Sequence, residues 1–326
     1  GGLREYCLDE LLLSTESVKD SLDQAIKAKS ISTETLRQLF NNRSSDVVST
    51  QDFSSYPMAD LQPLISSIQL GLSDMLVNSG LTPYIVIGHS LGELTATAFA
   101  GMWNDRCHFL EMMKYRGQVM DDACQSAPSG MLATSLTDID KLKSLLSRYN
   151  NLYLSNFNSP SQITISGQLS DLESIANDIR AIGAKVSMLN VSGGFHSPLM
   201  SQAADAFKSK ISNLDIRQPS TNVLSMVDGQ FYSADCHSSV DRLSRHMTAS
   251  VDLVNGLSAL SSEPHIFVNI GPSLTMQKLI RQNRVVDDDI FISLDDGSNE
   301  IDGLLNALAN LFCLVPNFSP NFGCDL

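Results

Sequence analysis

The sequence has little positive charge, and the basic residues are not clustered. Its 326 residues include 22 Lys and Arg against 36 Asp and Glu, which gives a formal net charge of -14 at pH 7. A nucleic-acid binder needs a basic surface to neutralise phosphates, and no long run of Lys or Arg is present. The composition therefore argues against a nucleic-acid partner.

Cysteine is scarce and scattered. No two cysteines have the CxxC spacing of a zinc or redox motif, and the residues are Cys7, Cys107, Cys124, Cys236, Cys313 and Cys324. The spacing therefore predicts neither a metal site nor a disulfide framework. We expect a protein of a reducing, cytoplasmic compartment.

Long hydrophobic runs are also missing. No stretch reaches the roughly 18 apolar residues of a membrane helix, and Gly1-Gly2-Leu3-Arg4-Glu5 has the character of neither a signal nor a transit peptide. We expect no membrane partner. Hydrophobic residues still make up 43% of the chain, so its length can bury the core of one large domain, or of a large and a smaller one.

Hydrophobic periodicity predicts a largely helical first quarter. Leucine and isoleucine recur at three- and four-residue steps over residues 3–40 and 59–79, with a loop rich in Ser and Asp over 43–56. The run Pro83-Tyr84-Ile85-Val86-Ile87 then predicts a strand buried in a parallel sheet. Small and apolar residues over 91–100 predict a helix packed on that sheet.

A different pattern begins near residue 129. Short strands and short helices alternate over residues 129–191, after which a helix over 199–214 and strands over 222–227 and 265–270 are predicted. We therefore predict an α/β fold in two parts. A large, parallel-sheet, α/β hydrolase-like domain comprises residues 1–128 and 192–326, and a small ferredoxin-like α+β subdomain, residues 129–191, is inserted into it.

The segment Gly88-His89-Ser90-Leu91-Gly92 carries the first chemical signal. It has the GxSxG pattern, in which a strained turn between a strand and a helix presents the serine hydroxyl and the glycines permit close backbone approach. Such a turn also aims the N–H groups of the helix N-terminus at the oxygen of an attacked carbonyl. The alternative is a glycine-rich turn whose serine has no chemical role.

A serine hydroxyl needs a base to remove its proton, so one of six histidines should serve. His196 is favoured, because Ser192-Gly193-Gly194-Phe195-His196-Ser197-Pro198 places it on a glycine-rich loop between an apolar strand and a helix. His89 lies inside the turn and would point away from the Ser90 hydroxyl. The polar or helical surroundings of the others favour solvated or structural roles: His108, His237, His246 and His265.

Six segments then occur in a distinctive order: Gly88-His89-Ser90-Leu91-Gly92-Glu93, Tyr115-Arg116-Gly117-Gln118-Val119-Met120, Ser129-Gly130-Met131, Asn156-Phe157-Asn158-Ser159-Pro160, Gly193-Gly194-Phe195-His196-Ser197-Pro198-Leu199-Met200 and Asn269-Ile270-Gly271-Pro272. Their order and spacing over residues 3–310 resemble malonyl-CoA:acyl-carrier-protein transacylase and the acyltransferase domains of polyketide and fatty-acid synthases. Six ordered motifs are far more specific than any one of them.

The resemblance implies a ping-pong transfer through an ester of Ser90. A malonyl group would pass from coenzyme A to the phosphopantetheine thiol of an acyl carrier protein, with His196 as base and then acid. It also implies that the Leu91 N–H stabilises the oxyanion and that a main-chain carbonyl orients His196. Thr248-Ala249-Ser250-Val251 is the matching segment, and Ala249 is the predicted carbonyl donor. No permanently bound cofactor is implied, since the coenzyme A thioester is a substrate.

Three further residues are predicted to bind substrate. Arg116 could hold the free malonyl carboxylate with two parallel hydrogen bonds, although a helical Arg more commonly forms a surface salt bridge. Phe195 resembles the residue that selects malonyl over branched groups, with core packing as the alternative. His89, beside the nucleophile, is the third.

The resemblance also implies an N-terminal strand and a Gly-Gln-Gly loop that supplies a second oxyanion N–H. Gly1-Gly2-Leu3-Arg4-Glu5 matches the sequence just downstream of that loop. Two alternative functions stay open. One is a thioester hydrolase that uses the same site, because the α/β-hydrolase fold also has a GxSxG motif. The other, which depends on the Gly-Gln-Gly loop alone, is a weakly active acyltransferase-like domain that docks carrier proteins. Fatty-acid and polyketide synthesis both stay open as the pathway.

Overall fold

The computed structural model describes residues 15–31, 56–233, 235–271, 273–294 and 300–320. Helices and strands alternate through most of this range. The helices are α1 (Glu16–Lys27), α2 (Met58–Asn78), α3 (Leu91–Phe99), α4 (Arg106–Ser126), α5 (Ile139–Leu146), α6 (Leu169–Ala181), α7 (Ser201–Ile211), α8 (Cys236–Arg245), α9 (Leu253–Ser258), α10 (Thr275–Asn283) and α11 (Glu300–Leu314). A 3₁₀ turn, Pro198–Met200, precedes α7.

The strands are β1 (Ile85–Ile87), β2 (Ser129–Thr134), β3 (Leu152–Ser159), β4 (Gln162–Gln168), β5 (Val186–Met188), β6 (Asn222–Leu224), β7 (Val251–Asp252), β8 (Ile266–Asn269) and β9 (Ile290–Ser293). Most predicted elements are present within a few residues of their expected bounds. The helical pattern over 3–14 and 32–40 lies outside the described residues, and β3 and α4 had not been delimited from the sequence.

The parallel strands form two pairs. β1 is parallel to β6, and β8 is parallel to β9, with Val86 opposite Val223 and Val268 opposite Ile292. The predicted parallel sheet is therefore seen, in the described residues, as two two-stranded sheets. Their apolar side chains contribute to the same hydrophobic cluster, so the two pairs share a core.

A five-stranded mixed sheet lies in the middle of the chain, in the order β5-β2-β4-β3-β7. Its β2, β3, β4 and β5 pair antiparallel, and the short β7 adds in parallel to β3. Helices α5 and α6 present Leu142, Leu172 and Ile175 to a core that is distinct from the main one. Apolar residues at three- and four-residue helical spacing form this buried face.

The start of α2 is attached to α4. Pro57 offers no side-chain cap, and the carboxylate of Asp121 on α4 instead accepts the N–H groups of Met58 and Ala59 at 3.1 and 3.0 Å. A Cβ on Gly117 would lie 2.3 Å from the Met58 carbonyl oxygen, so only glycine permits this approach. Because of this contact the inner faces of α2 and α4 lie side by side.

No helix in the described ranges is long and apolar enough to cross a membrane. Cys107, Cys124 and Cys313 are free thiols. The same residues contain no group of three His, Cys, Asp or Glu side chains arranged to hold a metal ion.

Candidate active site

Ser90 lies on a strained turn between β1 and α3. Its φ of 53° and ψ of -120° are unfavourable for a residue with a side chain, and such strain is concentrated at functional sites. A Cβ on Gly88 would lie 2.1 Å from the carbonyl carbon of Gly92, so the first glycine is required. The second is not, because a Cβ on Gly92 would meet no atom within 4 Å. Close backbone approach thus explains Gly88 alone.

Leu91 is the first residue of α3, and its N–H therefore has no carbonyl partner within the helix. The N–H groups of Gly92 and Glu93 behave differently, since they donate to the carbonyls of His89 and Ser90, each at 3.0 Å. The Leu91 N–H, next to the Ser90 hydroxyl, is thus the backbone donor available to an oxyanion formed at this serine.

His196 contacts the serine hydroxyl from a loop 106 residues later in the chain. Its Nε2 atom lies 3.0 Å from Ser90 Oγ, and its Nδ1 lies 3.0 Å from the main-chain carbonyl oxygen of His246. Because a carbonyl can only accept, Nδ1 carries the proton and Nε2 is free to accept the Ser90 proton. The two residues therefore have the arrangement that a serine nucleophile and its base require.

The prediction that the Ala249 carbonyl orients His196 was wrong. The acceptor belongs to His246, three residues earlier. The chain turns tightly after α8, because the N–H groups of both Thr248 and Ala249 donate to the carbonyl of Arg245, at 2.9 and 2.7 Å. The carbonyl that faces His196 is consequently at the start of this turn, a shift that the sequence did not reveal.

The His196 imidazole is strongly biased towards its neutral form. Burial lowers the pKa of His196 well below its ordinary value, and the nearby His246, His89 and Arg116 lower the pKa further. The side chain is only 5% exposed. A neutral imidazole at neutral pH is the form that a general base requires.

Strands of the five-stranded sheet hold the loop that carries His196. Ser129 on β2 accepts the Gly194 N–H at 2.9 Å, and Ser166 on β4 donates to the Phe195 carbonyl at 2.6 Å. A Cβ on Gly193 would lie 2.2 Å from the Cys124 sulfur, so the loop passes directly over α4. The sheet thereby sets the position of the base relative to the nucleophile.

Arg116 on α4 is buried, with 2% exposure, and is not a surface salt-bridge residue. Its Nη1 donates to Gln62 Oε1 at 2.7 Å, and its Nε has no hydrogen-bond partner in the described part of the chain. Gln62 Nε2 in turn donates to the Met120 sulfur at 3.3 Å, which directs the amide oxygen towards Arg116. Burial lowers the pKa of Arg116 to about 10, so the guanidinium is still charged at neutral pH.

A buried guanidinium without a carboxylate partner carries a large desolvation cost, so the described surroundings leave Arg116 able to pair with an anion. Within the described residues, the ion pairs of arginine involve other residues, and none includes Arg116. Its charge lowers the pKa of His196, so the two side chains are close in space. The site therefore combines a candidate nucleophile, a candidate base and a fixed cation.

His89 and Phe195 border the same site. His89 Nε2 lies 3.2 Å from Asn158 Oδ1, and Asn158 Nδ2 donates to Thr164 Oγ1 at 3.2 Å, which fixes the amide orientation. Burial lowers the pKa of His89 to about 4, so this imidazole is neutral. Phe195 is half-buried and packs against the main hydrophobic core. The substrate-binding roles of both residues stay predictions.

Three residues close to the site were not identified from the sequence: Gln62, Glu93 and His246. His246 had been assigned to a solvated or structural role, yet its side chain is fully buried and its carbonyl contacts His196. A partial signal existed, since His246 lies two residues before the matching segment Thr248-Ala249-Ser250-Val251. Glu93 closes the motif Gly88-His89-Ser90-Leu91-Gly92-Glu93 but had been given no role, and Gln62 gave no signal beyond its location near hydrophobic helix positions.

The fold matches that of known acyltransferases. A malonyl-CoA:acyl carrier protein transacylase structure from Helicobacter pylori superposes with a TM-score of 0.78 at 22% identity, covering 94% of this chain and 93% of that one. The corresponding Synechocystis structure gives a TM-score of 0.74 at 26% identity, with 94% of each chain covered.

The sequence comparisons agree with the fold. The family model described as "Acyl transferase domain" matches residues 20–290, and the chain belongs to this family. A polyunsaturated fatty acid synthase protein of Thraustochytrium sp. is 33% identical over 226 residues, which are 68% of this chain and 8% of that protein. Malonyl CoA-acyl carrier protein transacylase of Bacillus subtilis is 29% identical over 227 residues, 68% of this chain and 71% of the relative. The chain thus spans only a small part of the long synthase.

Proposed function

We propose that this chain transfers a malonyl group from coenzyme A to the phosphopantetheine thiol of an acyl carrier protein. One observation carries the proposal: the Ser90 hydroxyl is hydrogen-bonded to His196 at 3.0 Å, beside a buried Arg116 that has no carboxylate partner among the described residues. Ser90 and His196 supply the nucleophile and base for acyl transfer, and the Arg116 cation selects an acyl group that carries a negative charge.

In the first half-reaction the Ser90 oxygen attacks the thioester carbonyl carbon, and His196 Nε2 accepts the hydroxyl proton. The Leu91 N–H donates to the oxyanion. As the tetrahedral intermediate collapses, the carbon–sulfur bond breaks, and the His196 imidazolium returns its proton to the sulfur. The products are free coenzyme A and a malonyl ester of Ser90.

The second half-reaction runs through the same residues. The phosphopantetheine thiol loses its proton to His196, and its sulfur attacks the ester carbonyl. The carbon–oxygen bond to Ser90 then breaks, and the serine oxygen takes the proton from His196. The partially exposed Ser90 supports successive entry of the two thiols, whereas the buried His196 is shielded from water.

Arg116 is the proposed clamp for the malonyl carboxylate. Its free Nε and remaining N–H groups can form parallel hydrogen bonds to two carboxylate oxygens, while Gln62 holds the guanidinium plane. A neutral acetyl group would leave this buried charge unpaired, which is a strong basis for discrimination. Phe195 is proposed to crowd a substituent at C2 of the acyl group, and His89 to line the same pocket.

The names of the relatives support the proposed partners. They include malonyl CoA-acyl carrier protein transacylases and polyketide or fatty acid synthases, and one similar structure is a transacylase in complex with an acyl-carrier protein. We propose that the chain works within such a synthase pathway in the cytoplasm, with no permanently bound cofactor. Cys107, Cys124 and Cys313, which are free thiols in the described part of the chain, support a reducing compartment.

We also propose the two-part organisation predicted from the sequence. The strand order β5-β2-β4-β3, with α5 and α6 as crossovers and a separate core, supports a ferredoxin-like subdomain over residues 129–191. Residues 1–128 and 192–326 would form the large hydrolase-like domain. The strand-turn-helix arrangement at Ser90 supports that description.

The decisive experiment is acyl loading followed by intact-protein mass spectrometry. Incubation with malonyl-CoA should add the mass of one malonyl group, and Ser90→Ala should abolish the addition. Label on Ser90→Ala would rule out the proposed nucleophile. Rapid release of malonate without a carrier protein would identify a thioester hydrolase, and no loading of wild type would leave a docking domain.

A further inference from the structure

A buried acidic side chain lies behind the base. Glu93 is on α3, three residues after the nucleophile, and its side chain is completely buried, as is that of His246. Glu93 Oε2 lies 3.4 Å from His246 Nε2, which is an ion-pair distance without hydrogen-bond geometry. Glu93 is therefore one residue removed from His196, because the carbonyl of the same His246 accepts the His196 Nδ1 proton.

Glu93 is held in its ionised form. Burial alone would raise the pKa of Glu93, but the nearby His246 and hydrogen bonds from its surroundings lower it below the ordinary value. The Tyr232 hydroxyl donates to Oε1 at 2.9 Å, and the Met226 N–H donates to Oε2 at 2.8 Å. No Lys or Arg of the described ranges forms an ion pair with this carboxylate.

The charged groups around His196 are otherwise cationic or neutral. His89 in the nucleophile turn, Arg116 on α4 and His246 after α8 each disfavour a positive charge on His196. Arg242 on α8 stacks on the Tyr232 ring and is paired with Asp228 at the surface. When His196 takes the serine proton, the buried carboxylate in contact with this cluster is Glu93.

The imidazoles of His196 and His246 also pack edge to face, with ring centroids 5.7 Å apart. Three connections thus meet at one residue: the His246 carbonyl on His196, its ring against the His196 ring, and its Nε2 beside Glu93. A displacement of the His246 side chain would alter the direction of the carbonyl that holds the base. In a serine-histidine-aspartate triad the carboxylate contacts the histidine directly, whereas here His246 lies between the Glu93 carboxylate and His196.

We propose that Glu93 and His246 are positioning residues that hold the His246 carbonyl against His196, and that the Glu93 carboxylate offsets the positive charge that His196 gains during acyl transfer. Glu93 supplies this negative charge from behind His246, without direct contact with the base. This inference rests on the proposed Ser90 chemistry. It adds a negative charge, which the Ser90 hydroxyl, the His196 imidazole and the His246 carbonyl do not supply.

The test is the pH dependence of malonyl loading in Glu93→Gln, measured in single turnovers. Gln keeps the side-chain shape and one acceptor oxygen but removes the charge. Without the carboxylate the His196 imidazolium is less stable, so the acid limb of kcat/KM should shift to lower pH by about one unit. The plateau rate should fall about tenfold, because His196 becomes a weaker base, with little change in KM for malonyl-CoA.

Two variants serve as controls. Glu111→Gln removes an exposed carboxylate from α4 and should leave the rate and pH limb as in wild type. Glu93→Asp keeps the charge but withdraws it from His246, so its rate should fall and its acid limb should shift to lower pH by less than in Glu93→Gln. Circular dichroism and thermal unfolding verify the fold. If Glu93→Gln does not fold, Glu93→Asp decides: an acid limb at the wild-type pH overturns the proposal.

The outcomes separate this inference from the proposed function. Absence of wild-type loading, or loading of Ser90→Ala, contradicts the proposed function itself. Normal wild-type loading combined with an unshifted acid limb in a folded Glu93→Gln overturns only the role of Glu93 and His246, since a purely structural residue would lower the rate without moving the limb.

Discussion

Arg116 Nη1 donates a hydrogen bond to Gln62 Oε1 at 2.7 Å, while Nε of the same buried guanidinium has no partner in the described structure. The two residues are on neighbouring helices, 54 positions apart in the chain. Gln62 is neutral and fixes the plane of the guanidinium without neutralising it. The carboxylate that would complete the pair is therefore expected from the substrate.

Replacing Arg116 by Met, which is of similar length but uncharged, should change acyl selection. Malonyl loading should fall by at least about 30-fold, corresponding to about 2 kcal/mol for a lost buried charge pair, while acetyl loading should improve relative to wild type. Competition between malonyl-CoA and acetyl-CoA, measured by mass spectrometry, reports the ratio. Arg106→Met on the same helix removes a cation that is already paired with Asp74 and should leave the ratio unchanged. An unaltered ratio in Arg116→Met would contradict the clamp.

Ser129 holds the loop that carries His196, so its loss should lower the rate of loading without weakening substrate binding. Ser129→Ala removes the acceptor of the buried Gly194 N–H and loosens the loop that places His196. We expect kcat for loading to fall about tenfold, with KM for malonyl-CoA nearly unchanged, because misplacement of the base affects the chemical step. The control is Ser174→Ala, which replaces an exposed serine on α6 and should leave kcat and KM at their wild-type values. A change confined to KM would argue against this role.

The wild-type protein should keep its activity in mildly acidic solution. His196 must be neutral to accept the serine proton, and its pKa is well below 6.5 because of burial and the nearby His246, His89 and Arg116. The neutral form thus persists as the pH falls through 6.5 and is lost only at the depressed pKa. The rate of loading as kcat/KM against pH, which reports the free enzyme, measures this limb. A midpoint at or above 6.5 would contradict the lowered pKa.

Asp121 should contribute to stability through the N-terminus of α2. Asp121→Ala removes the acceptor of the Met58 and Ala59 N–H groups, and we expect a loss of about 1 kcal/mol in the free energy of unfolding. Urea denaturation measures it. Asp122→Ala, the exposed neighbour, should cost little. Equal effects of the two substitutions would show that the cap is unimportant.

Gly88 and Gly92, the two glycines of the GxSxG turn, should differ in how well each tolerates replacement by alanine. Gly88→Ala would place a Cβ 2.1 Å from the Gly92 backbone and should destabilise the protein by more than about 2 kcal/mol or prevent folding. Gly92→Ala meets no neighbouring atom within 4 Å and gains helix propensity, so it should be at least as stable as wild type. Thermal unfolding of both variants tests the contrast, and a large loss from Gly92→Ala would contradict it.

Much of the fold could be predicted because its signals are local. The apolar run before Ser90 and the small residues after it identified β1 and α3, and alternating short elements identified the inserted sheet. The pairing of the parallel strands could not be predicted, since β1 meets β6 and β8 meets β9 only through contacts distant in sequence. The path of the chain after α8 could not be predicted from the sequence either, so the carbonyl that faces His196 was not identified.

The sequence by itself singled out Ser90, His196 and Arg116 as the candidate nucleophile, base and cation, because strained turns, glycine-rich loops and the order of motifs are local features of the sequence. The tertiary structure alone decided their partners. Ser90 and His196 are 106 positions apart, His196 and the His246 carbonyl 50, and Arg116 and Gln62 54. Contacts across such separations depend on how helices and sheets pack. The sequence therefore predicted Ala249 as the hydrogen-bond acceptor, whereas the structure has His246, three residues earlier.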